Sequence, residues 1–268
     1  MSSKFELQGK IAIVTGGSGT AHGIGRCIAL EYAKAGANVV VASRNQENLD
    51  KVAAEIRALG RESLAIATDV CVPEQVDNMV KQTVDRFGRV DILVNNVGGS
   101  SFGKAEDVSP DVWNDHMVLN LNATFFCSVA AGKVMIEQKS GKIINISSTT
   151  SIKGEPMMAP YAAAKAGVIS LTKSLALGWA QYNINVNCIA PGGVALPDHS
   201  LEGIPDEEYA KQKKAETTAD GTPLLPLQLP GKPEDVAHLA LFLASAASDL
   251  ITGEVMVIRG AEFASVYI

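Results

Sequence analysis

Tyr161 and Lys165 stand four residues apart in the stretch Pro160-Tyr161-Ala162-Ala163-Ala164-Lys165-Ala166-Gly167. On a helix they share one face, one turn apart. The three residues between them are alanine, the strongest helix former. A free tyrosine titrates near ~10, and a neighbouring cation favours the phenolate and draws that value toward the working pH. A phenol tuned this way can take a proton from an alcohol, or return one to a carbonyl oxygen, as a hydride moves at carbon. Two helix residues also fall at this spacing for no chemical reason, so the elements that position the pair must decide.

Short apolar runs alternate with helical-period segments almost throughout. The strand-like runs are 10–15, 38–42, 63–68, 91–95, 142–147, 184–190 and 254–258. The helical segments are 23–35, 45–59, 73–87, a long one from Ser109 to about Lys139, the Tyr161 segment to about Gln181, and 233–247. Val- and Ile-rich runs that do not alternate with polar residues are expected of strands buried on both faces. Their alternation with helices implies a doubly wound parallel α/β sheet of about seven strands, helices on both faces. A single domain over 1–268 is expected. The irregular region 195–231, with Pro197, Pro205, Pro223, Pro226 and Pro230, reads as a substrate lid whose middle, 205–216, forms a short helix.

The totals narrow the function classes. The chain has 268 residues, 47% of them hydrophobic and 19% charged, which supplies a large core. A net charge of −6 argues against a general nucleic-acid or anionic-membrane binder. Cys27, Cys71, Cys127 and Cys188 are scattered, so no disulfide framework and no metal site is indicated. The first residues lack the apolar run of a signal peptide, and no uninterrupted apolar window approaches ~18 residues. A soluble cytoplasmic protein is the expectation.

Thr15-Gly16-Gly17-Ser18-Gly19-Thr20-Ala21-His22-Gly23-Ile24-Gly25 joins the first strand to the first helix. Glycines there let the backbone approach a pyrophosphate, and the helix N-terminus offers unpaired N–H groups. With the Tyr/Lys pair, this turn makes the chain resemble the short-chain dehydrogenase/reductase family, in its compact branch of about 250 residues that includes 3-oxoacyl-ACP reductases. Asn95-Asn96-Val97-Gly98, Val118-Leu119-Asn120-Leu121, Asn145-Ile146-Ser147-Ser148 and Asn187-Cys188-Ile189-Ala190-Pro191-Gly192 carry the resemblance nearly end to end.

The resemblance implies a Rossmann-like fold and a set of roles. Tyr161 would be the acid/base. Lys165 would lower its pKa and hold the nicotinamide ribose, and Ser148 would hydrogen-bond the substrate oxygen. Asn120 would break the helix locally and hold a water in a proton relay to Lys165, and Asn95 would tie its strand to its neighbours. Gly16, Ser18, His22, Gly23, Ile24 and Gly25 would hold the pyrophosphate. Asp69 and Val70 would contact adenine, and Asn96, Val97, Gly98, Tyr161, Lys165, Pro191, Gly192 and Val194 would border the nicotinamide half. Ser148, Thr150, Met157, Met158 and Leu196 would line the substrate pocket, whose small and apolar walls suit a medium-sized apolar or cyclic ketone or alcohol. The long helix from Ser109 and the Tyr161 helix would be dimerisation surfaces, and the last strand would support a homotetramer.

The end of the second strand bears on cofactor choice. An acidic residue there would accept from the ribose 2′-OH of NAD(H) and repel a 2′-phosphate. This sequence has Ser43 in that place and then Arg44, whose guanidinium suits a phosphate, so NADP(H) is favoured over NAD(H). Four departures from the family pattern stand out: six residues between Gly16 and Gly23 where three are usual, Leu196 in place of a threonine, Val97 in place of an alanine, and no Asp-Gly-Gly after Ile258. A 3-oxoacyl thioester is the alternative substrate. A nucleotide-binding, redox-sensing subunit without turnover is the alternative of another class, and retention of Asn120, Ser148, Tyr161 and Lys165 together argues against it.

Overall fold

Residues rich in β-branched side chains form seven strands: β1 (Ile11–Thr15), β2 (Asn38–Ser43), β3 (Ser63–Ala67), β4 (Ile92–Asn95), β5 (Gly141–Ile146), β6 (Ile184–Pro191) and β7 (Val255–Ile258). They make one sheet in the order β3-β2-β1-β4-β5-β6-β7, parallel at every pairing. The computed structural model describes residues 4–18, 23–194 and 231–259. The expected lid and its short helix therefore lie outside the described residues, apart from Gly231, which bridges Val194 at the lid's end.

Each strand sends alternate side chains to opposite faces, and both faces are covered. Ala12 and Val14 of β1 join a core with α1 (Ile24–Lys34) and α2 (Gln46–Ala58). Ile13 joins the other core, with α3 (Pro73–Phe87) and α5 (Ala123–Gln138). The remaining helices are α4 (Pro110–Met117), α6 (Thr150–Lys153), α7 (Ala159–Trp179) and α8 (Pro233–Ala244), the last packed in the α1 core. This is the doubly wound arrangement that the uninterrupted apolar runs imply.

Register brings the strand ends level. Thr15 pairs with Ala42, Val14 with Val94, Asn95 with Asn145 and Asn145 with Cys188. The chain leaves β1 toward β2 and leaves β4 toward β5, so the strand order reverses between β1 and β4. A crevice outside the carboxyl ends of the strands at such a reversal is where open α/β sheets bind ligands.

Most element boundaries fall within three residues of expectation, and the exceptions have physical reasons. The long helix expected from Ser109 to about Lys139 is α4, then a π-helical turn over Val118–Asn122, then α5. By length and composition the run Pro110–Gln138 could cross a membrane, with hydropathy 1.3, but half of that apolar window is buried in the protein. Asn120 is fully buried at its middle, as suits a core helix. The last helix stops at Ala244, because Ser245 turns extended at ψ 169°. The short helix α6 has no counterpart among the expected elements; at one turn it is too short to show a period.

Candidate active site

Ser147 and Ser148 leave the end of β5, and Tyr161 and Lys165 come from the first turns of α7. These residues border one cleft of about 860 Å³, with Gly16, Gly23, Ile24 and Gly25 on one side and Pro191, Gly192 and Val194 on the other. The elements that carry them are fixed by buried polar bonds. Ser147 Oγ donates to the Lys165 carbonyl at 2.8 Å, which pins β5 to α7. Asn145 Nδ2 donates to Thr172 Oγ1 at 2.9 Å, a second pin lower on the same helix. Asn95 Nδ2 donates to Asn145 Oδ1 (2.8 Å) and Ser128 Oγ (2.9 Å), joining β4, β5 and α5, which is the tie expected of it.

Lys165 is 3% exposed and donates from Nζ to the Ile146 carbonyl at 2.9 Å. Burial pulls its ammonium down from the ordinary 10.5 to about 8. The same nitrogen lies over the Tyr161 ring, 5.8 Å from its centroid. Burial is also the largest influence on the Tyr161 phenol and raises it, while a hydrogen bond with Ser148 lowers it. Desolvation therefore outweighs the Ser148 bond, and the expected lowering by Lys165 is not among the influences on the phenol. Ser148 Oγ accepts from Thr150 N (3.2 Å) and Thr150 Oγ1 (3.0 Å), so its own proton is directed away from Thr150.

Asn120 sits in the π turn. Its Oδ1 accepts from Gly99 N–H at 3.0 Å, and its Nδ2 donates to the Gly99 carbonyl at 3.0 Å and to the His116 carbonyl at 3.2 Å. A Cβ placed on Gly98 would lie 2.8 Å from Asn120 Oδ1 and 2.9 Å from Lys165 Nζ. A side chain there would push Asn120 or Lys165 out of place.

The nucleotide-facing side is built from backbone. A Cβ on Gly25 would come 2.3 Å from the Gly16 carbonyl oxygen, so helix α1 can start against the end of β1 only with glycine at this place. Asn96 holds the same corner, donating from Nδ2 to the carbonyls of Thr15 (3.2 Å) and Gly16 (3.4 Å). Gly23 is the N-cap of α1, and neither a side-chain cap nor an acidic residue occupies its first turn. The N–H groups of a helix start of this kind suit an anion.

Ser18 and Ser43 join through their hydroxyls at the end of β2, beside exposed Arg44. Among the described residues no carboxylate pairs with the Arg44 guanidinium. Asp69 accepts from Cys71 N–H at 3.0 Å after β3, with Val70 buried beside it. Val97, with a larger side chain than the usual alanine, packs into the α3–α5 core. Gly192 N–H donates to the Ile258 carbonyl (2.8 Å), and the Pro191 carbonyl accepts from Thr149 N–H (2.9 Å), which holds the chain across the cleft.

Met157 is 40% exposed and Met158 half-buried at the start of α7. His22 and Leu196 lie outside the described residues. The glycine cradle, the uncapped helix start and the buried lysine together fit a nicotinamide dinucleotide. Among the described residues no group of three His, Cys, Asp or Glu side chains could hold a metal.

His116 was absent from the expected site. It is buried four residues before Asn120 and faces the Tyr161 ring edge-on. A histidine at that spacing from Asn120, on the same helix face, was the available signal.

The comparisons with known proteins agree with this geometry. Residues 10–202 match the family model for short chain dehydrogenase. The chain is 35% identical over 254 residues to the (2S)-[(R)-hydroxy(phenyl)methyl]succinyl-CoA dehydrogenase subunit BbsD of Thauera aromatica, covering 95% of this chain and 96% of that protein. It is 36% identical to the 3-oxoacyl-[acyl-carrier-protein] reductase FabG of Thermotoga maritima, over 96% of this chain and 98% of that one. The crystal structure of a short-chain type dehydrogenase/reductase from Mycobacterium marinum superposes with a TM-score of 0.83 at 35% identity, covering 96% of each chain. The chain belongs to the short-chain dehydrogenase family and is an NAD(P)-dependent oxidoreductase.

Proposed function

We propose that this protein is a single-domain, NADP(H)-dependent reductase of a medium-sized, largely apolar ketone, working in the cytoplasm as a homotetramer. The observation that carries the reading is the meeting of Ser148, Tyr161 and Lys165 at one cleft beside the start of α1, with buried Asn120 holding Gly99 in the cleft wall. Bound NADPH supplies the hydride. The chain's own residues would handle the oxygen. Ser148, with both acceptor positions turned to Thr150, directs its proton at the Tyr161 oxygen and would share it with a substrate carbonyl placed beside that oxygen. Tyr161, kept protonated by burial, is set up to donate to the same oxygen as charge builds there. The direction of that shift suits reduction better than oxidation. Lys165, with its ammonium over the ring, would steady the phenolate left behind. Asn120 would keep the Gly99 backbone in register and hold the water that returns a proton through Lys165.

Arg44 and the Ser18–Ser43 hydroxyls support the NADP(H) preference: a guanidinium with no carboxylate partner among the described residues is suited to a 2′-phosphate. Exposed Val118, Phe125 and Leu177 on the π turn, α5 and α7 support assembly through those helices. Both curated relatives named above carry a thioester substrate in their names, which favours a 3-oxoacyl-thioester reductase as the second reading.

Titration of the protein with NADPH and NADH, followed by nucleotide fluorescence, tests the cofactor reading. NADPH is expected to bind more tightly, and Arg44→Ala to weaken it by about 10- to 100-fold while leaving NADH unchanged, the loss of one charge-assisted contact. A wild-type preference for NADH overturns the reading. A panel of cyclic ketones and 3-oxoacyl thioesters with NADPH then separates the two substrate classes.

A further inference from the structure

His116 is the buried titratable side chain near the cleft that the chemistry above leaves unused. It lies in the last turn of α4, 8% exposed. Its Nε2 is 2.7 Å from Ser101 Oγ, and its Nδ1 faces Asn120 Nδ2 at 3.4 Å. The Asn120 amide is oriented by Gly99, which donates to its Oδ1 and accepts from its Nδ2. Both Nδ2 protons go to the Gly99 and His116 carbonyls, at 3.0 and 3.2 Å, so the amide packs against Nδ1 and the short hydrogen bond of the imidazole is the one between Nε2 and Ser101 Oγ. The imidazole also stands edge-on to the Tyr161 ring, with centroids 6.4 Å apart and planes at 72°.

Ser101 belongs to the stretch Gly98-Gly99-Ser100-Ser101-Phe102-Gly103, which has no regular secondary structure and forms one wall of the cleft through Gly98, Gly99, Ser100 and Phe102. Three glycines give this wall a large conformational entropy to lose. Its start is held by the Asn120–Gly99 pair, and its end by Gly103 N–H donating to the Met157 carbonyl at 2.9 Å. Between these two backbone ties, Ser101–His116 supplies a side-chain bond from the exposed loop to a buried ring.

We propose that His116 is a positioning residue: bonded to Ser101 and packed against Asn120, it clasps the 98–103 loop against α4 and the Tyr161 ring and so sets the substrate side of the cleft. Its kinetic consequence rests on the ketone-reductase reading above; its structural consequence rests on the loop geometry alone. A loose wall costs substrate affinity, because the loop must be ordered each time substrate binds. The nucleotide, held mainly from the opposite side, is unaffected.

Four variants decide the matter: His116→Phe, which keeps a ring against Tyr161 but cannot hydrogen-bond Ser101; Ser101→Ala; the double variant; and His116→Gln, whose amide can bond Ser101 as donor or acceptor. Hydrogen–deuterium exchange over residues 98–104 is measured for each, with NADPH affinity and the steady-state kinetics of the best ketone. Both single losses are expected to speed exchange in the loop and to raise the ketone KM by about 3- to 10-fold, the effect of one hydrogen bond, with kcat and NADPH affinity held. The double variant is expected to be no worse than either single one, because both remove the same bond. His116→Gln is expected to restore most of the loss. A Ser101→Ala protein with wild-type exchange, additive effects in the double variant, or a His116→Gln protein as poor as His116→Phe overturns the clasp. Should His116→Phe fail to fold, Ser101→Ala and His116→Gln still decide it. A wild type that binds neither nucleotide would instead defeat the parent reading, and the exchange comparison would still judge the clasp.

Discussion

At the β4–β6 end of the cleft the polar side chains are deep and tied to one another. Asn120, Asn145 and Thr172 are fully buried, Lys165 is 3% exposed, and hydrogen bonds run from Asn95 through Asn145 to Thr172. At the β1–β2 end the groups facing the cleft are main-chain amides at the start of α1, and its polar side chains, half-buried Ser43 and exposed Arg44, lie near the surface. The difference follows from what each end must do. Proton transfer depends on donors already aimed at the atom that gains charge, so geometry has to be set before substrate arrives. A phosphate carries its own strong field and can draw amides and a mobile guanidinium onto itself. One end is organised by the protein, the other by the ligand.

Tyr161→Phe is the sharpest break at the preorganised end. It removes one oxygen and keeps the ring under Lys165 and against His116. The expected loss is about 10²- to 10⁴-fold in kcat, the usual contribution of a positioned acid, with nucleotide affinity unchanged. Single-turnover reduction of the ketone, beside an equilibrium titration with NADPH, checks both halves. If affinity fell along with rate, the two ends would be one coupled unit and the contrast between them would fail.

Gly25→Ala tests the other end. The added Cβ would lie 2.3 Å from the Gly16 carbonyl and 2.6 Å from Asn96 Nδ2, so the first turn of α1 must move away from β1. The expected cost is about 1–3 kcal/mol of stability from overpacking, read by urea denaturation. Weakened binding of both NADPH and NADH should accompany it. Unchanged affinity would mean that the turn adapts and that the ligand does organise this end even with the helix displaced.

Legibility in the sequence follows the same division between local and distant causes. The strands could be read because burial on both faces leaves a local mark, an unbroken Val/Ile run such as Val39-Val40-Val41. The glycine turn and the Tyr161–Lys165 spacing are equally local, and the structure brings those residues to one cleft. The π turn at Val118–Asn122 was only half legible. Asn120 marked a break in the helix, but one extra residue in a turn leaves no compositional trace. Asn96 was read for its place beside the cofactor. Its amide in fact braces the Thr15 and Gly16 carbonyls, a contact across 80 residues that no local pattern encodes. The upward shift of Tyr161 was missed for the same reason. Spacing displays the lysine, whereas desolvation is the sum of everything packed around the ring.

Lys165 gives the smallest effect and ties the contrast to pH. Its folded value is about 8 against an ordinary 10.5. Between those values the unfolded chain still holds a proton that the folded chain has released, so unfolding takes up a proton and stability rises with pH across this window. Below it both states are charged, and the contribution is constant and least favourable. Lys165→Met keeps the length of the side chain and removes the titration. The stability of the wild type minus that of the variant, from urea denaturation between about pH 7 and pH 10, is therefore expected to be level at first and then to climb by about 1 kcal/mol per unit. Taking the difference cancels Cys27 and Cys71, which burial pushes up to about 11, and Cys127, pushed to about 12, all of which act in the opposite sense; Cys188, which Lys165 itself lowers, is replaced by alanine in both proteins. A level difference throughout would mean that water reaches Nζ through the cleft. The preorganised end would then be as open as the phosphate end, and the ammonium over the Tyr161 ring would be a surface charge with little hold on the phenol.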